Sequence, residues 1–410
     1  MGATPRPLAG LRVLDASVFL AGPLACSLLA DWGADVVKVE PLSGDPARWM
    51  GGPQLTRGIT PTFAGGNRGK RALAVDYGSS EGRALVARLA AGCDAVIHNQ
   101  REDVARRLGI DHAALAQEGS GAVVCTISAF GPQGTYAGRA AIDPMVQAMT
   151  GMASLTGPPG GEPMRAGPPV VDVCAGVTAA AATLAALLGR ERSGQADPVM
   201  VSLFDVGLLC NAGFVALRSA EGRTPPRLGN RSHPLLADQF ATADGFVVIA
   251  VWDERRWTAL CTVLGLEALA ADPALASNDA RLERYDELRP RLEAAIAPLS
   301  AVALREALHE AGVPCAVTAD LDAVAADPHV RTSGALYDEP RLGGDPVQMA
   351  AGPVQLAGHR TVAELPPPRL GEHTRTVLAD WLGASPAGVD ALVRSGTVAE
   401  AGTPASPVAR

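Results

Sequence analysis

The feature that most constrains the fold of this chain is the alternation of strand-like and helix-like segments in its first 130 residues. Runs rich in β-branched residues recur between stretches with helical periodicity. Parallel strands need a long crossover, usually a helix, so the alternation predicts an α/β fold with a parallel, doubly covered sheet, a Rossmann-like layout. The predicted strands are Arg12–Ser17, Asp35–Glu40, Ala72–Asp76, Ala95–Asn99 and Ala122–Ser128.

Sequence patterns in the remainder of the chain predict further helices, strands and a second domain. A long Ala-rich helix is predicted over about 173–190, and Thr224-Pro225-Pro226 is typical of a linker. Strand and helix patterns then resume, followed by an extended Gly/Pro-rich segment over 328–360 and a last helix at Gly371–Leu382. We expect a large Rossmann-like domain over 1–223, a small α+β domain over 224–330, and a return segment with a C-terminal helix over 331–410.

Charge and composition exclude several classes of function. The 410 residues include 35 basic and 43 acidic side chains with no dense basic stretch, so we expect no nucleic-acid partner. No uninterrupted apolar run of about 18 residues and no signal-peptide pattern is present, so no membrane partner is expected. Seven scattered cysteines indicate reduced thiols in a cytoplasmic protein. The seven histidines lack zinc spacing, so we expect them on the surface or in loops, and no metal site.

The loop after the first strand does not favour a dinucleotide cofactor. Glu40 ends the second strand, where a nicotinamide-binding domain carries its ribose-binding acid. The loop itself offers only Ala21-Gly22-Pro23, and proline has no N–H to donate to a pyrophosphate. The sequence therefore predicts a Rossmann-like fold without the dinucleotide.

Asp172 has two compatible interpretations. It stands between an apolar loop and the long helix, and aspartate is a favoured N-cap. A carboxylate at a helix N-terminus is also kept ionised by the helix dipole, which a nucleophilic carboxylate requires. The residues alone leave the choice open.

Ordered matches along nearly the whole chain carry a resemblance to a known family. The first runs through Pro7-Leu8-Ala9-Gly10-Leu11-Arg12-Val13-Leu14-Asp15 and Leu20-Ala21-Gly22-Pro23 to Ala30-Asp31-Trp32-Gly33-Ala34-Asp35. Later ones include Asn67-Arg68-Gly69-Lys70, Phe130-Gly131-Pro132, Asp143-Pro144, Arg227-Leu228-Gly229-Asn230 and Leu370-Gly371-Glu372-His373. The chain resembles the class III CoA-transferases, the CaiB/BaiF group that includes formyl-CoA and carnitine CoA-transferases.

The resemblance implies both an architecture and a chemistry. It implies interlocked ring-like subunits in a homodimer, with the small domain inserted between two parts of the large one. It implies CoA transfer from an acyl-CoA to a small carboxylic acid, with Asp172 as the catalytic residue that forms anhydride and thioester intermediates. CoA and acyl-CoA are then substrates, and no tightly bound cofactor is expected. The positions that align with the family's CoA site are Val18, Leu20, Ala21, Val75, Asn99 and Arg107.

Departures from the family pattern bear on substrate and reaction. Leu20 stands where formyl-CoA transferases have glutamine. This difference argues against formyl-CoA as the CoA donor and oxalate as the acceptor acid. Pro41 replaces a basic residue of some relatives, so the nucleotide would have to rely on other cations, with Lys38, Arg48 and Arg71 as candidates.

Two alternatives belong to other functional classes. α-Methylacyl-CoA racemases share the superfamily and need two acid/base groups at one carbon, but their histidine is replaced here by Ile142. A non-catalytic CoA-binding member is the other alternative, which an intact Asp172 disfavours.

Overall fold

The computed structural model describes residues 6–342, 346–362 and 364–402, which form two compact units. The larger unit combines the chain up to Thr150 with 167–212 and the segment from His329 onward. The smaller unit combines 151–166 with 213–328.

The observed division differs from the predicted boundary at 224, because the smaller unit starts at Gly213 and also includes 151–166. Long-range hydrogen bonds explain the second difference. Arg227 donates to the carbonyls of Ser154, at 3.1 Å, and Gly161, and the Gly229 N–H donates to a carbonyl in the same segment. No local pattern in the sequence reveals such bonds.

A parallel sheet forms the centre of the larger unit. Its strands are β1 (Arg12–Asp15), β2 (Asp35–Pro41), β3 (Lys70–Val75), β4 (Ala95–His98), β5 (Val123–Ser128) and β6 (Val199–Ser202), with β14 (Val398–Ala399) as an antiparallel edge. The strand order is β14-β3-β2-β1-β4-β5-β6, a doubly wound arrangement whose order reverses at β1 and β4. The expected α/β fold with a parallel-rich sheet is therefore confirmed.

Helices cover both faces of this sheet, and its central strands read as continuous apolar runs because both faces are buried. Leu14, Val37, Leu73, Val96 and Val124 are all buried. The helices are α1 (Ala21–Asp31), α2 (Pro61–Asn67), α3 (Ser80–Ala91), α4 (Glu102–Leu108), α5 (His112–Gln117), α6 (Asp143–Met149), α8 (Val170–Ser193), α9 (Leu203–Cys210), α17 (Pro328–Ser333), α18 (Thr374–Leu382) and α19 (Pro386–Arg394). Two small hairpins pair β10 (Leu336–Glu339) with β11 (Val347–Ala350) and β12 (Gln355–Leu356) with β13 (His359–Arg360).

The smaller unit packs helices on an antiparallel sheet. Its strands are β7 (Leu236–Ala241), β8 (Phe246–Val251) and β9 (Cys315–Val317). Its helices are α7 (Met152–Leu155), α10 (Ala212–Glu221), α11 (Glu254–Val263), α12 (Glu267–Ala270), α13 (Asn278–Glu283), α14 (Tyr285–Ile296), α15 (Ala301–Glu310) and α16 (Leu321–Ala326). Strand β7 was not predicted from the sequence because Asp238 interrupts it, but this buried carboxylate accepts hydrogen bonds from Tyr285 and Arg289.

Helix α8 is 24 residues long and, by length and composition alone, could cross a membrane. It packs against α1, β5 and β6, and a buried core helix passes the same test. Gly176 makes the close contact with α1 possible, because a Cβ there would lie 2.7 Å from the Ala21 carbonyl oxygen. The sequence therefore brings the start of α8 close to the start of α1.

Candidate active site

The loop that follows β1 lies where the strand order reverses, which is the crevice where open α/β sheets bind ligands. Asn99, directly after β4, fixes this loop. Its Oδ1 accepts the Val18 N–H at 2.9 Å, and its Nδ2 donates to the Val18 carbonyl at 2.8 Å. Leu20 is half-buried and Ala21 buried where α1 begins. Four of the predicted CoA-site residues are thus brought together.

Phe19, in the same loop, was missed by the sequence analysis. Its φ is +66°, a left-handed conformation that costs energy for a non-glycine residue and concentrates at functional sites. Its side chain is 42% exposed, and its N–H donates to Asp45 Oδ1 at 3.1 Å. No local turn motif in the sequence signals this conformation.

The other two predicted CoA-site residues lie apart from this loop. Val75, at the end of β3, is fully buried and pairs with Val398 of β14, so its side chain does not face solvent. The alignment of Val75 with a CoA-site position therefore stays a prediction. Arg107 lies in the last turn of α4 with its side chain 67% exposed and 4.0 Å from Asp103. Arg107 is thus an available cation, although its helix-end position suits a structural role equally well.

Both lysines of the chain belong to a buried ionic cluster formed by Asp15, Lys38, Asp45 and Lys70 and extended by Glu40 and Arg48. Lys70 Nζ lies 2.7 Å from Asp15 Oδ2, and Lys38 Nζ lies 3.0 Å from Asp45 Oδ2. Burial by itself would raise the pKa of Asp15, but Lys38 and Lys70 outweigh it and lower that pKa to about 2.

The cations predicted to compensate for Pro41 are therefore already engaged. Arg48 is fully buried, donates to both oxygens of Glu40 at 2.7 Å and bonds two backbone carbonyls. Lys38 donates to the Ser17 carbonyl at 2.8 Å in addition to its ion pairs. Arg71 bridges Asp35 and Asp380. A role for these cations at the CoA phosphates stays a prediction. Phosphates would have to displace buried partners at Lys38 and Arg48, and more exposed partners at Arg71.

Asp172 is not the N-cap of α8, so the capping interpretation is wrong. The helix begins at Val170, with Pro169 as the N-cap residue. The capping carboxylate comes from α6: Asp143 Oδ2 accepts the N–H groups of Val171, at 2.8 Å, and Asp172, at 3.1 Å. Within the described residues, no hydrogen bond or ion pair reaches the Asp172 carboxylate, which is left available for chemistry.

The environment of Asp172 makes its carboxylate more basic than usual. Partial burial, and then the negative charge of Asp143, raise the pKa of Asp172 from 3.8 to about 6. This upward shift runs opposite to the lowering expected from a helix N-terminus, because desolvation and a like charge both disfavour the ionised form. At neutral pH the carboxylate is mostly ionised yet more basic than an ordinary aspartate, as suits a nucleophile.

The position of Asp172 along α8 links it to the loop after β1. Gly176, which contacts the Ala21 carbonyl, is four residues further along the helix and therefore on the same face. Helical side chains lean toward the N-terminus of their helix. Asp172 thus lies about one turn before this contact along α8, on the face that packs against α1.

Two other residues named in the sequence analysis are also placed. His98 was expected on the surface or in a loop, but it is buried at the end of β4 with Nε2 3.1 Å from Thr126 Oγ1. Burial lowers its pKa to about 4, so it is neutral at physiological pH. Ile142, directly before α6, is 54% exposed and can neither donate nor accept a proton.

Comparison with known proteins agrees with these observations. The model of CoA-transferase family III matches residues 8–374. The chain is 36% identical to the succinate–glutarate CoA-transferase of Agrobacterium fabrum, over 91% of this chain and 95% of the relative. It is 33% identical to the acetyl-CoA:oxalate CoA-transferase of Acetobacter aceti, over 89% of this chain and 93% of that relative. A CaiB/BaiF family protein from Brucella suis, of known crystal structure, superposes with a TM-score of 0.82 at 32% identity, covering 92% of this chain and all of that one.

Proposed function

The chain belongs to CoA-transferase family III and is an enzyme of that class, and on this premise we propose that it moves CoA from an acyl-CoA to a carboxylic acid through covalent intermediates on Asp172. The observation that carries the proposal is the Asp172 carboxylate, which is partly buried and has a pKa raised to about 6 by burial and by Asp143. A covalent catalyst must be both ionised and nucleophilic, and this group is both at neutral pH.

Each step of the proposed reaction exchanges one bond for another. An Asp172 oxygen attacks the donor thioester carbon, so a C–O bond forms, the C–S bond breaks and CoA leaves as thiolate. The thiolate attacks the Asp172 side-chain carbon and expels the donor acid, leaving an aspartyl-CoA thioester. The acceptor carboxylate then displaces the thiolate to form a second anhydride. Attack of the thiolate on the acceptor acyl carbon releases the new acyl-CoA and regenerates Asp172.

Anhydrides hydrolyse, so the site must exclude water, and the residues where α1 begins suit this need. Leu20 and Ala21 present apolar side chains where glutamine in the first position would attract water. Leu20 also lacks the polar group with which glutamine helps formyl-CoA transferases handle their small substrates, and so it disfavours formyl-CoA and oxalate. The named substrates of the Agrobacterium relative make short dicarboxylic acids such as succinate and glutarate the first acceptors to test.

CoA is proposed to lie at the crevice beside Val18, Leu20, Ala21 and Asn99, with Arg107 as the cation that meets a phosphate. Asn99 and the loop are held rigid by their mutual hydrogen bonds, so the crevice is preformed. Val75 stays a proposed CoA-site position from the family alignment, although its side chain is buried.

The interlocked homodimer and a cytoplasmic location remain part of this proposal. Apolar residues on α8, Val173, Val177 and Leu188, are between 40% and 49% exposed in the single chain. A second copy of the chain would remove them from water, which favours an oligomer.

The direct test is Asp172→Ala, assayed by mass spectrometry with a panel of acyl-CoAs and free acids. We expect turnover to fall by at least about 10³-fold, as for the loss of a covalent catalyst. Hydroxylamine added during turnover should convert Asp172 of the unmodified enzyme to a hydroxamate. The matched control is Asp205→Asn, which removes an exposed carboxylate from α9.

Two outcomes would overturn the proposal. The first is an Asp172→Ala variant that keeps more than a few per cent of the activity. The second is rapid epimerisation of a 2-methylacyl-CoA in D₂O, with deuterium uptake and no need for an added acid, which is racemase chemistry.

A further inference from the structure

The N–H groups at the start of α8 are all occupied. The Val171 and Asp172 N–H groups donate to Asp143, while those of Val170 and Val173 donate to the carbonyls of Pro168 and Pro169. A free helix N-terminus would stabilise a nearby negative charge. Here that place is taken by a carboxylate of the protein itself, so the backbone at this point does not favour the ionised form of Asp172.

Asp143 is itself firmly held in this position. It is 3% exposed, and its Oδ1 accepts a hydrogen bond from Gln147 Nε2 at 2.6 Å, one turn further along α6. Both of its oxygens are thus engaged by donors, which fixes the position of the carboxylate. The charge is placed at the backbone of the very residue that carries the chemistry.

We infer that Asp143 is a positioning residue for the CoA-transfer reaction, whose fixed negative charge destabilises the free Asp172 carboxylate and so favours its covalent, uncharged forms. This inference rests on the proposed function. When Asp172 attacks the thioester carbon, its charge passes to the departing CoA thiolate. The anhydride and the aspartyl thioester are both neutral at Asp172, so the repulsion from Asp143 is relieved as each forms.

No other charged group within the described residues opposes this effect at Asp172. The elements packed most closely against α8 are α1, α6, α9, β5 and β6. Their titratable groups besides Asp143 are the thiols Cys26, Cys125 and Cys210, Asp31, which pairs with Arg68, and the exposed Asp205. Helix α8 adds Cys174 near Asp172, and Arg190, Glu191 and Arg192 at its far end. Asp143 is therefore the one full charge that contacts the residue.

The test compares Asp143→Asn with Asp205→Asn. Asparagine keeps an oxygen that can accept the two N–H groups, and it removes the charge. We expect the acid limb of kcat/KM, near pH 6 in the unmodified enzyme, to move down by about one unit, the scale set by one neighbouring charge. A Brønsted slope of about 0.4–0.5, as found for thiolates, converts this into about a threefold loss of kcat/KM at pH 8. Asp143→Glu, which keeps the charge, should restore the acid limb, and Asp205→Asn should leave it unchanged.

A second measurement needs no activity and so separates this inference from the proposed function. The free energy of unfolding is measured against pH for the unmodified protein and for Asp172→Asn, and the difference between the two is determined. The same pair is then measured in the Asp143→Asn background. The difference should shrink when the charge of residue 143 is removed. If Asp143→Asn fails to fold, Asp143→Ser supplies a neutral cap in its place. If both the acid limb and the difference in unfolding free energy are unchanged, Asp143 only caps helix α8 and the inference is wrong. If CoA transfer is absent but the difference in unfolding free energy shrinks as expected, only the proposed function is overturned.

Discussion

In the buried ionic cluster around Asp15 every carboxylate faces a cation, whereas at the start of α8 the carboxylates of Asp143 and Asp172 lie together without one in the described part of the chain. Both regions belong to the larger unit; the ionic cluster is fully buried, whereas Asp172 is only partly buried. The pKa of Asp15 is lowered to about 2 by Lys38 and Lys70 despite burial, while the pKa of Asp172 is raised to about 6 by burial and Asp143.

The difference separates structural charges from charges that do chemistry. A buried charge whose partners satisfy it is inert, and its removal leaves an unpaired partner behind. In a buried carboxylate without a cation the ionised form is destabilised, and formation of a covalent bond removes that destabilisation. The two regions therefore predict opposite responses to neutralisation.

The largest effect on stability is expected in the ionic cluster, from Lys70→Met. Lys70 Nζ donates to Asp15, to Asn67 and to the carbonyls of Pro23 and Gly66, so methionine leaves Asp15 without its nearest cation. We expect the free energy of unfolding to fall by about 3–5 kcal/mol. Chemical denaturation measures it, with the exposed Arg106→Met as the control. A loss below about 1 kcal/mol would mean that the cluster does not stabilise the fold in this way.

An intermediate effect of opposite sign is expected from Asp172→Asn, which should stabilise the protein above pH 7. The raised pKa means that the folded state holds a proton between about pH 4 and pH 6 that the unfolded state has lost, so stability falls across this window as pH rises. Asparagine removes the penalty, which amounts to about 1–3 kcal/mol for a partly exposed group.

Below about pH 4 the two proteins should unfold alike, because the carboxyl group is protonated in both states. Asp15 behaves in the reverse manner: its lowered pKa contributes stability above about pH 4 that is lost as pH falls through 2. Thermal unfolding from pH 2 to pH 8 checks both trends. A lower free energy of unfolding for Asp172→Asn at pH 8 would contradict the view that the ionised Asp172 destabilises the folded protein.

The smallest effect is expected at the surface, where Arg107 belongs to neither region. Arg107→Ala should raise the KM for acyl-CoA by about threefold to tenfold, since an exposed charged contact contributes roughly 0.5–1.5 kcal/mol. The kcat and the stability should hardly change. Arg106→Ala, one position away on α4 and paired with Glu102, is the control. Equal KM values for the two variants would remove Arg107 from the proposed CoA site.

Much of the larger unit could be predicted from the sequence, because its strands are short apolar runs separated by helices of suitable length. Helix α8 also follows from a local pattern, and its ends at Val170 and Ser193 lie within three residues of the predicted bounds. The C-terminal part was predicted less well: one helix was expected, but α18, α19 and β14 are present. Strand β14 is only two residues long, and its pairing with β3 depends on contacts more than 300 residues apart.

The sequence by itself determined the α/β class, the family resemblance and the identity of Asp172 as the residue to examine. These follow from periodicity and from ordered motifs, which are local properties of the chain. Only the tertiary structure decided what holds the start of α8, because Asp143 is 29 residues away from Asp172 along the chain. It likewise decided that Lys38, Arg48 and Arg71 are already engaged, since whether a charge is paired depends on what folding places beside it.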